Sequence, residues 1–542
     1  MLPATAAVKL FRPVPRWVAR GASWLIVAAW LVQMGLLLDR SYLRASSPNL
    51  ASDLARYGSG AQWKGVYYRG EKIGFVVGQT VPTRDGFELQ EDGQLQMALL
   101  GATTAARIHT SAQVDKAFAL RSFAFSLDPG TGAVSVKGTL DGRRLDLTVE
   151  TPSGKRTESR ELAGPPALSL NLSRRLAAEG LAPGQHRELA VFDPATLRNA
   201  PMSLDVQARE IVRAAGRPVP AFKVRMQFGG IVSTSWITDV GEVVREESPM
   251  GLIVVKETRD RATALAVPGD VQTDMLEAAA IVPTGPKIDD PATVEWIRVR
   301  LEGVEVGGPD LDGGGQSVTG NVFEIRDSRT LPLGPPDPDA KNYLAAEPFL
   351  ESDAPEVRAE AAKAVQGVDG TRARAERLVR YVNALLEKKP TVSLPSAREV
   401  LRTRVGDCNE HTALYVAMAR ALGIPARIAV GLVHLHGAFY YHAWPEVYVE
   451  ERGRGAWMPV DPTLNQFPAD VTHLRLARGG LERQALILPM IGRARLQVLD
   501  LQVAAGATPV LVGRTASDMR PMDIPLPRRD GGGQGCWSRP PR

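Results

Sequence analysis

Two hydrophobic periods divide the chain. From residue 63 to about 270, apolar side chains recur at every second position, the period that lines one face of a β-strand. Phe123, Phe125 and Leu127 alternate in one run, Val134 and Val136 in the next, and Leu145, Leu147 and Val149 in a third. The Asp141–Gly142 pair between the last two suits a tight hairpin turn, where glycine tolerates positive φ. The alternation also runs through Val66–Val81 and Phe222–Val255. It predicts an antiparallel β-rich domain over 63–270, curved into an open half-barrel. One interruption, Leu168–Glu179, reads as a strand that turns into a helix.

Residues 271–341 are rich in Pro, Gly and Asp and read as a small β segment and linker. Asp310 and Asp312 precede glycines as in a calcium loop, but no later acidic ligand follows, which leaves a plain turn. From about 342 the period lengthens to that of a helix. Ser352 and Asp353 before Pro355 read as a helix start; Leu378, Val382, Leu385 and Leu386 share a side; Ser396 with Glu399 makes a capping box. Ala413, Leu414, Ala417, Met418, Ala421 and Leu422 mark a helix of about 14 residues, stopped by Gly423 and Pro425. Three strand-like runs follow, "ARIAVGLVHL", "FYYHAWPEVYVE" and "AWMPVDPTL". The chain is thus predicted to be an α+β multidomain protein: a helical and antiparallel domain over 342–480, then a C-terminal extension over 481–542 with a disordered, Gly/Pro/Arg-rich tail.

The N-terminus adds a compartment. Gly21–Leu38 is uncharged and apolar, and as a helix it is just long enough to cross a bilayer. Lys9, Arg12, Arg16 and Arg20 precede it, so residues 1–20 are predicted to stay in the cytoplasm. No clean small-x-small cleavage site follows, which favours an uncleaved single-pass anchor over 21–38. Residues 39–62 read as a linker. The bulk of the chain is then expected in the periplasm or outside the cell.

Charge narrows the partners. Lys and Arg exceed Asp and Glu by five in 542 residues, with no basic stripe interleaved with aromatics. This excludes a nucleic-acid surface and reads as a solvated exterior. Cys408 and Cys536 are the only cysteines, too few for a disulfide framework, and Cys536 lies in the tail.

Cys408 opens the helix that ends at Gly423. A helix start favours an anion, so this position is expected to lower the thiol pKa, and its N–H groups suit an oxyanion. His442 lies 34 residues on, in a strand with Trp444, Glu446 and Tyr448 on the same face, and Asp461 lies 19 further, at the end of the next strand. With His442 facing the helix and Asp461 on the neighbouring strand, Cys408 becomes a nucleophile, His442 its base and acid, and Asp461 the group that orients the imidazole. His411 is an alternative base. His434 and His436, with Cys408 and His442, form an alternative zinc set. Trp444 either packs beside His442 or lines an acyl pocket, as a substrate-binding residue. Asp407 is expected to cap the helix.

"GDCNEHTALYVAMARALGIPARIAVGL", "YYHAWPEVYV" and "WMPVDPT" resemble the three blocks of the transglutaminase-like superfamily, over roughly residues 345–475. The resemblance implies a papain-like core with Cys408, His442 and Asp461 as catalytic triad, no metal or cofactor, and acyl transfer through a thioester on a protein or peptide substrate. The absence of a calcium-site pattern favours hydrolysis over cross-linking. Some members take a second oxyanion donor from an upstream Trp or Gln; here Tyr381, Asn383 and Gln366 are the candidates. The β-rich region resembles, by pattern and without a motif, the open barrels of bacterial lipoprotein-carrier proteins. A different class of reading keeps the same fold as a non-catalytic scaffold that binds peptides or cell-envelope material.

Overall fold

The computed structural model describes residues 60–99, 102–130, 132–248, 251–265, 279–304, 311–390, 394–479, 490 and 492–504. The predicted anchor over 21–38, its basic flank and Cys536 lie outside them. Among the described residues no helix is long and apolar enough to cross a membrane.

The period-two region forms one antiparallel sheet of fourteen strands. In chain order they are β1 (Gln62–Tyr68), β2 (Glu71–Thr83), β3 (Gly86–Leu99), β4 (Ala102–Asp115), β5 (Leu120–Asp128), β6 (Val134–Asp141) and β7 (Arg144–Thr151). There follow β8 (Gly154–Glu161), β9 (His186–Asp193), β10 (Arg198–Ala214), β11 (Arg217–Phe228), β12 (Ile231–Ile237), β13 (Val243–Glu247) and β14 (Leu252–Glu257). Two meanders, β1 to β8 and β9 to β14, join where β1 pairs with β14. Short hairpins dictate this neighbour pairing, as at Gly142, whose φ of 61° only a residue without Cβ adopts freely.

The sheet is strongly curled. In its strand order β5 and β9 stand ten places apart, which in a flat sheet is about 48 Å at ~4.8 Å per strand. Yet the rings of Phe123 and Phe192 are 5.5 Å apart, and Arg160 of β8 donates to the Leu197 carbonyl at 2.6 Å. The edges therefore come together, a tighter arrangement than the half-barrel expected from the pattern. Ala167 bridges to Val191 of β9 just before helix α1 (Ser169–Glu179), so the predicted strand-to-helix interruption is the crossing between the two edges. Beside α1 the sheet encloses a cavity of about 420 Å³ lined by Lys64, Gln79, Gln90, Glu91, Arg174 and Glu246. An acyl chain requires apolar walls, so the likeness to lipoprotein carriers ends at the strand pattern. A short helix, α2 (Arg259–Thr263), closes this part.

The rest of the described chain shares one hydrophobic core, from Ile281 to Val498. Its first layer is a small sheet of β15 (Val294–Glu302), β16 (Gln316–Thr319) and β17 (Val322–Arg326). Asp312 accepts from the Val318 N–H at 2.8 Å, the behaviour of a turn residue. The helical layer is α3 (Pro355–Ala364), α4 (Thr371–Leu385), α5 (Ala397–Thr403) and α6 (Cys408–Ala421). Ser396 caps α5 through the Glu399 N–H as its spacing predicts; α3 is capped at Ala354 instead of the Ser352–Asp353 pair. A two-residue parallel pair, β18 (Glu387–Lys388) with β19 (Val405–Gly406), holds the approach to α6.

The last layer is an antiparallel sheet of β20 (Ala426–Leu435), β21 (Ala438–Glu451), β22 (Arg454–Pro459) and β23 (Leu474–Arg478), ordered β22-β21-β20-β23. Helix α6 is buried on every side from Glu410 to Arg420, because β20 and β21 cover one flank and α3, α4 and α5 the others. The six-residue stripe read from the sequence is thus only part of its buried surface. One strand was not foreseen. β24 (Arg495–Val503), in the region expected to be a C-terminal extension and tail, pairs with β15 and buries Leu496 and Val498 in the common core.

Candidate active site

The start of α6 is built by its own first turn. Asp407 Oδ1 accepts from the Asn409 N–H at 2.9 Å, and Glu410 Oε2 accepts from the Asp407 N–H at 2.9 Å, a complete capping box. Glu410 folds back over Gly406, where a Cβ would meet the Glu410 Cβ at 2.2 Å. Glycine is therefore required at that position, and "GDC" followed by Glu410 is one structural unit. Neither cap occupies the Cys408 N–H, the donor expected to face an oxyanion.

Cys408 is half-buried, and the nearby Ala443 N–H of β21 favours its thiolate form. Thr412, one turn on, donates to the Ala443 carbonyl at 3.1 Å. This bond docks the first turns of α6 against β21 at a position that β22 does not pair. The sequence reading required His442 to face the helix, and alternation gives a different result. Ala443, Val447 and Val449 pack into the helical core, while His442, Trp444 and Glu446 take the opposite face.

The thiol also departs from expectation. Burial pushes the Cys408 pKa up, the Asp407, Glu410 and Asp461 carboxylates add to this, and only the Ala443 N–H opposes them. The helix start does not overcome desolvation here. The balance favours the thiol over the thiolate.

His442 is oriented by Asp461, which follows β22 and is fully buried. Asp461 Oδ2 lies 2.7 Å from His442 Nε2, and Oδ1 accepts from the Thr463 and Leu464 N–H groups at 2.7 and 3.0 Å. With Nε2–H donated to Asp461, a neutral His442 keeps its lone pair on Nδ1, the atom that can take a proton. Asn383 of α4 donates to the carbonyls of Pro462 and Thr463 at 2.8 and 3.1 Å, fixing this turn. Tyr381 donates to Glu360. Both are engaged away from the sulfur, and Gln366 is exposed near the end of α3; none of the three is set as a second oxyanion donor.

The remaining candidates divide clearly. His411 is fully buried, with Nδ1 2.7 Å from the Asp407 carbonyl, and burial lowers its pKa. Its Nδ1 is bound to the first turn of its own helix, and its Nε2 is buried without a hydrogen-bond partner. His434 lies three positions from Gly431, the partner of His442, and so points to the opposite face of the sheet. The zinc set drawn from Cys408, His434, His436 and His442 does not assemble. Trp444 is 1% exposed, its ring 6.1 Å from that of His442 and edge-on to His473 at 5.1 Å. It packs beneath the imidazole, so the substrate-binding role fails for lack of accessible surface.

Sequence reasoning missed His473 and Asp470. Asp461 Oδ2 is also 3.1 Å from His473 Nε2. The one signal was a lone His in "VTHLRL", immediately before an apolar run. Burial would raise both carboxylates, but attraction to and hydrogen bonding with His442 and His473 hold Asp461 far below the usual range, and bonds from His473 and Thr472 do the same for Asp470. A depressed folded pKa means stability that is present above the ordinary value of 3.8 and lost as pH falls below it. The unfolding temperature of the chain is expected to fall steeply between about pH 4 and 2, and less steeply in Asp470→Asn, measured by calorimetry across that range.

The family model described as transglutaminase-like superfamily (Transglut_core) matches residues 358–462. No curated protein matches the chain. Among solved structures, a candidate cysteine protease from Cytophaga hutchinsonii is 18% identical with a TM-score of 0.26, over 39% of this chain and 86% of that one. The periplasmic domain of TgpA from Pseudomonas aeruginosa is 18% identical with a TM-score of 0.22, over 34% and 79%. A candidate protease from Parabacteroides distasonis is 13% identical with a TM-score of 0.19, over 63% of this chain and 64% of that one, just under two thirds of its length. These are partial superpositions. Residues 358–462, Cys408, His442 and Asp461 among them, form a transglutaminase-like superfamily domain.

Proposed function

We propose that the chain is a cysteine acyl-transfer enzyme, anchored by its N-terminal segment and acting outside the cytoplasm on amide bonds of proteins or peptides. The observation that carries this reading is the His442–Asp461 bond of 2.7 Å, on a strand whose next residue, Ala443, is bonded to Thr412 in the first turns of the helix that Cys408 opens. Cys408 Sγ attacks the carbonyl carbon while its proton moves to His442 Nδ1. The Cys408 N–H stabilises the oxyanion. The leaving amine takes the proton from His442, and a thioester remains. Water, deprotonated by His442, then attacks the thioester, and the thiol re-forms as the acid departs.

Iodoacetamide tests the first half of this cycle without a known substrate. At pH 7 Cys408 is expected to alkylate at least about a hundredfold faster than in His442→Ala, because a positioned base contributes about 10²- to 10⁴-fold. Cys408→Ala is expected to abolish hydrolysis of a peptide library. Equal alkylation rates in the two proteins, with no turnover, would leave the scaffold reading standing.

A further inference from the structure

Asp461 is not the last member of the constellation. His473 is 4% exposed. Its Nε2 lies 3.1 Å from Asp461 Oδ2, and its Nδ1 lies 3.1 Å from the Asp470 carbonyl and 3.3 Å from Asp470 Oδ1. Both ring nitrogens face only oxygen acceptors. A neutral imidazole has a single N–H and would set a lone pair against one of them. Asp470 is itself fixed, by the Thr472 N–H at 2.9 Å, the Thr472 hydroxyl at 2.6 Å and Gln466 Nε2 at 2.7 Å. The charged groups around His473 are Asp461 and Asp470 on its nitrogens, His442 across Asp461, and Arg326 and Arg475 beside a small void that it lines.

We propose that His473 is a positioning residue of the acyl-transfer site: a buried imidazolium, clamped between Asp461 and Asp470, that aims the Asp461 carboxylate and offsets its charge so that His442 remains free to accept a proton. This rests on the reading of Cys408, His442 and Asp461 as the reacting set. A buried carboxylate facing one imidazole alone directs its whole attraction at that ring. Sharing the carboxylate with a second, permanently charged imidazole divides that attraction. Burial works against the His473 charge, but the bonds to Asp461 and Asp470 outweigh it and hold the group up to about 10. His442, Asp461 and His473 also have the composition of a cation site, with ligand atoms within 4.8 Å of one another. A doubly protonated His473 has no lone pair to offer a metal, so the two readings predict different protonation.

The test uses the full chain. Nitrogen-15 spectra of the imidazoles are tractable with seven histidines in the sequence. At pH 8 one ring, absent from the spectrum of His473→Gln, is expected to carry protons on both nitrogens. A neutral His473, or one whose nitrogens shift on addition of zinc ions, overturns the proposal. In His473→Gln, which keeps one donor but no charge, the acid limb of Cys408 alkylation is expected to move up by about one pH unit, a loss of about tenfold at pH 6. The high-pH plateau should stay within about threefold. A folded variant with an unmoved limb, or with a uniform loss at every pH, also overturns it. If Cys408 of the unaltered chain alkylates like a free thiol, the acyl-transfer reading fails instead, and the spectra still decide the charge of His473.

Discussion

Asp461→Asn is expected to lower kcat/KM, or the rate of Cys408 alkylation at pH 7, by about 10³- to 10⁴-fold. The amide is nearly isosteric, so the turn held by the Thr463 and Leu464 N–H groups can form on the remaining oxygen. The other position fares worse. If it presents NH₂ toward His442, the imidazole must accept there and carry its proton on Nδ1, the tautomer that cannot take a proton from the thiol. His473 loses its charged acceptor at the same atom. The substitution therefore damages two imidazoles at once, and about 3–5 kcal/mol of stability should go with the activity, since a buried ion pair loses one partner. Steady-state kinetics and urea unfolding on the same preparation measure both. A variant that keeps activity within tenfold would remove Asp461 from the mechanism.

Glu446→Gln is the second large expectation, and it concerns stability. Glu446 is fully buried on the face that carries His442 and Trp444. Arg427 and Arg478 each donate to Oε2, at 2.8 and 2.9 Å, and Arg475 donates to Oε1. Burial works to raise its pKa, yet the attraction of the three guanidinium groups outweighs this and holds it down to about 2. The carboxylate is charged at neutral pH, and its contribution is lost progressively as pH falls from the ordinary value of 4.5 through about 2. Arg475 also donates to the Leu311 and Gly313 carbonyls at 2.9 and 2.8 Å, so one carboxylate ties β20, β21 and β23 to the turn before β16. Removing its charge strands buried cations and is expected to destabilise the chain by about 3–5 kcal/mol, read from urea unfolding at pH 7. Glu451→Gln, at an exposed position of the same strand, should change it by less than about 0.5 kcal/mol. Equal effects of the two would show that the cluster is solvated.

What the sequence made legible was local. The strands of the large sheet announce themselves through alternation and turns, and helix α6 through its period and its Gly423 stop. The three site residues sit in runs whose neighbours specify a helix start, a strand middle and a strand end. Contacts between distant segments carried no such mark. His473 lies 12 residues beyond Asp461 with no periodicity to point it inward, and only the folded turn brings it to the same oxygen. Arg427 and Arg475, which a charge count assigns to the solvated exterior, are buried because Glu446 is there to meet them. The thiol failed for a physical reason: the reading weighed the helix field but not the desolvation and three carboxylates around Cys408. Alternation along β21 turns Ala443, Val447 and Val449 toward α6 and leaves His442 on the other face.

The place of β24 has a consequence for the timing of synthesis. This strand buries Leu496 and Val498 beside residues about two hundred positions earlier in the chain, since β15 is its partner. Until residue 503 has emerged, the core on which β20 to β23 rest lacks one wall. Folding of a domain proceeds as a unit once its segments are available. The nascent chain therefore carries all three site residues for some time before it can hold them in place, and a product truncated between Arg478 and Arg495 would contain the complete motif on an unfinished support.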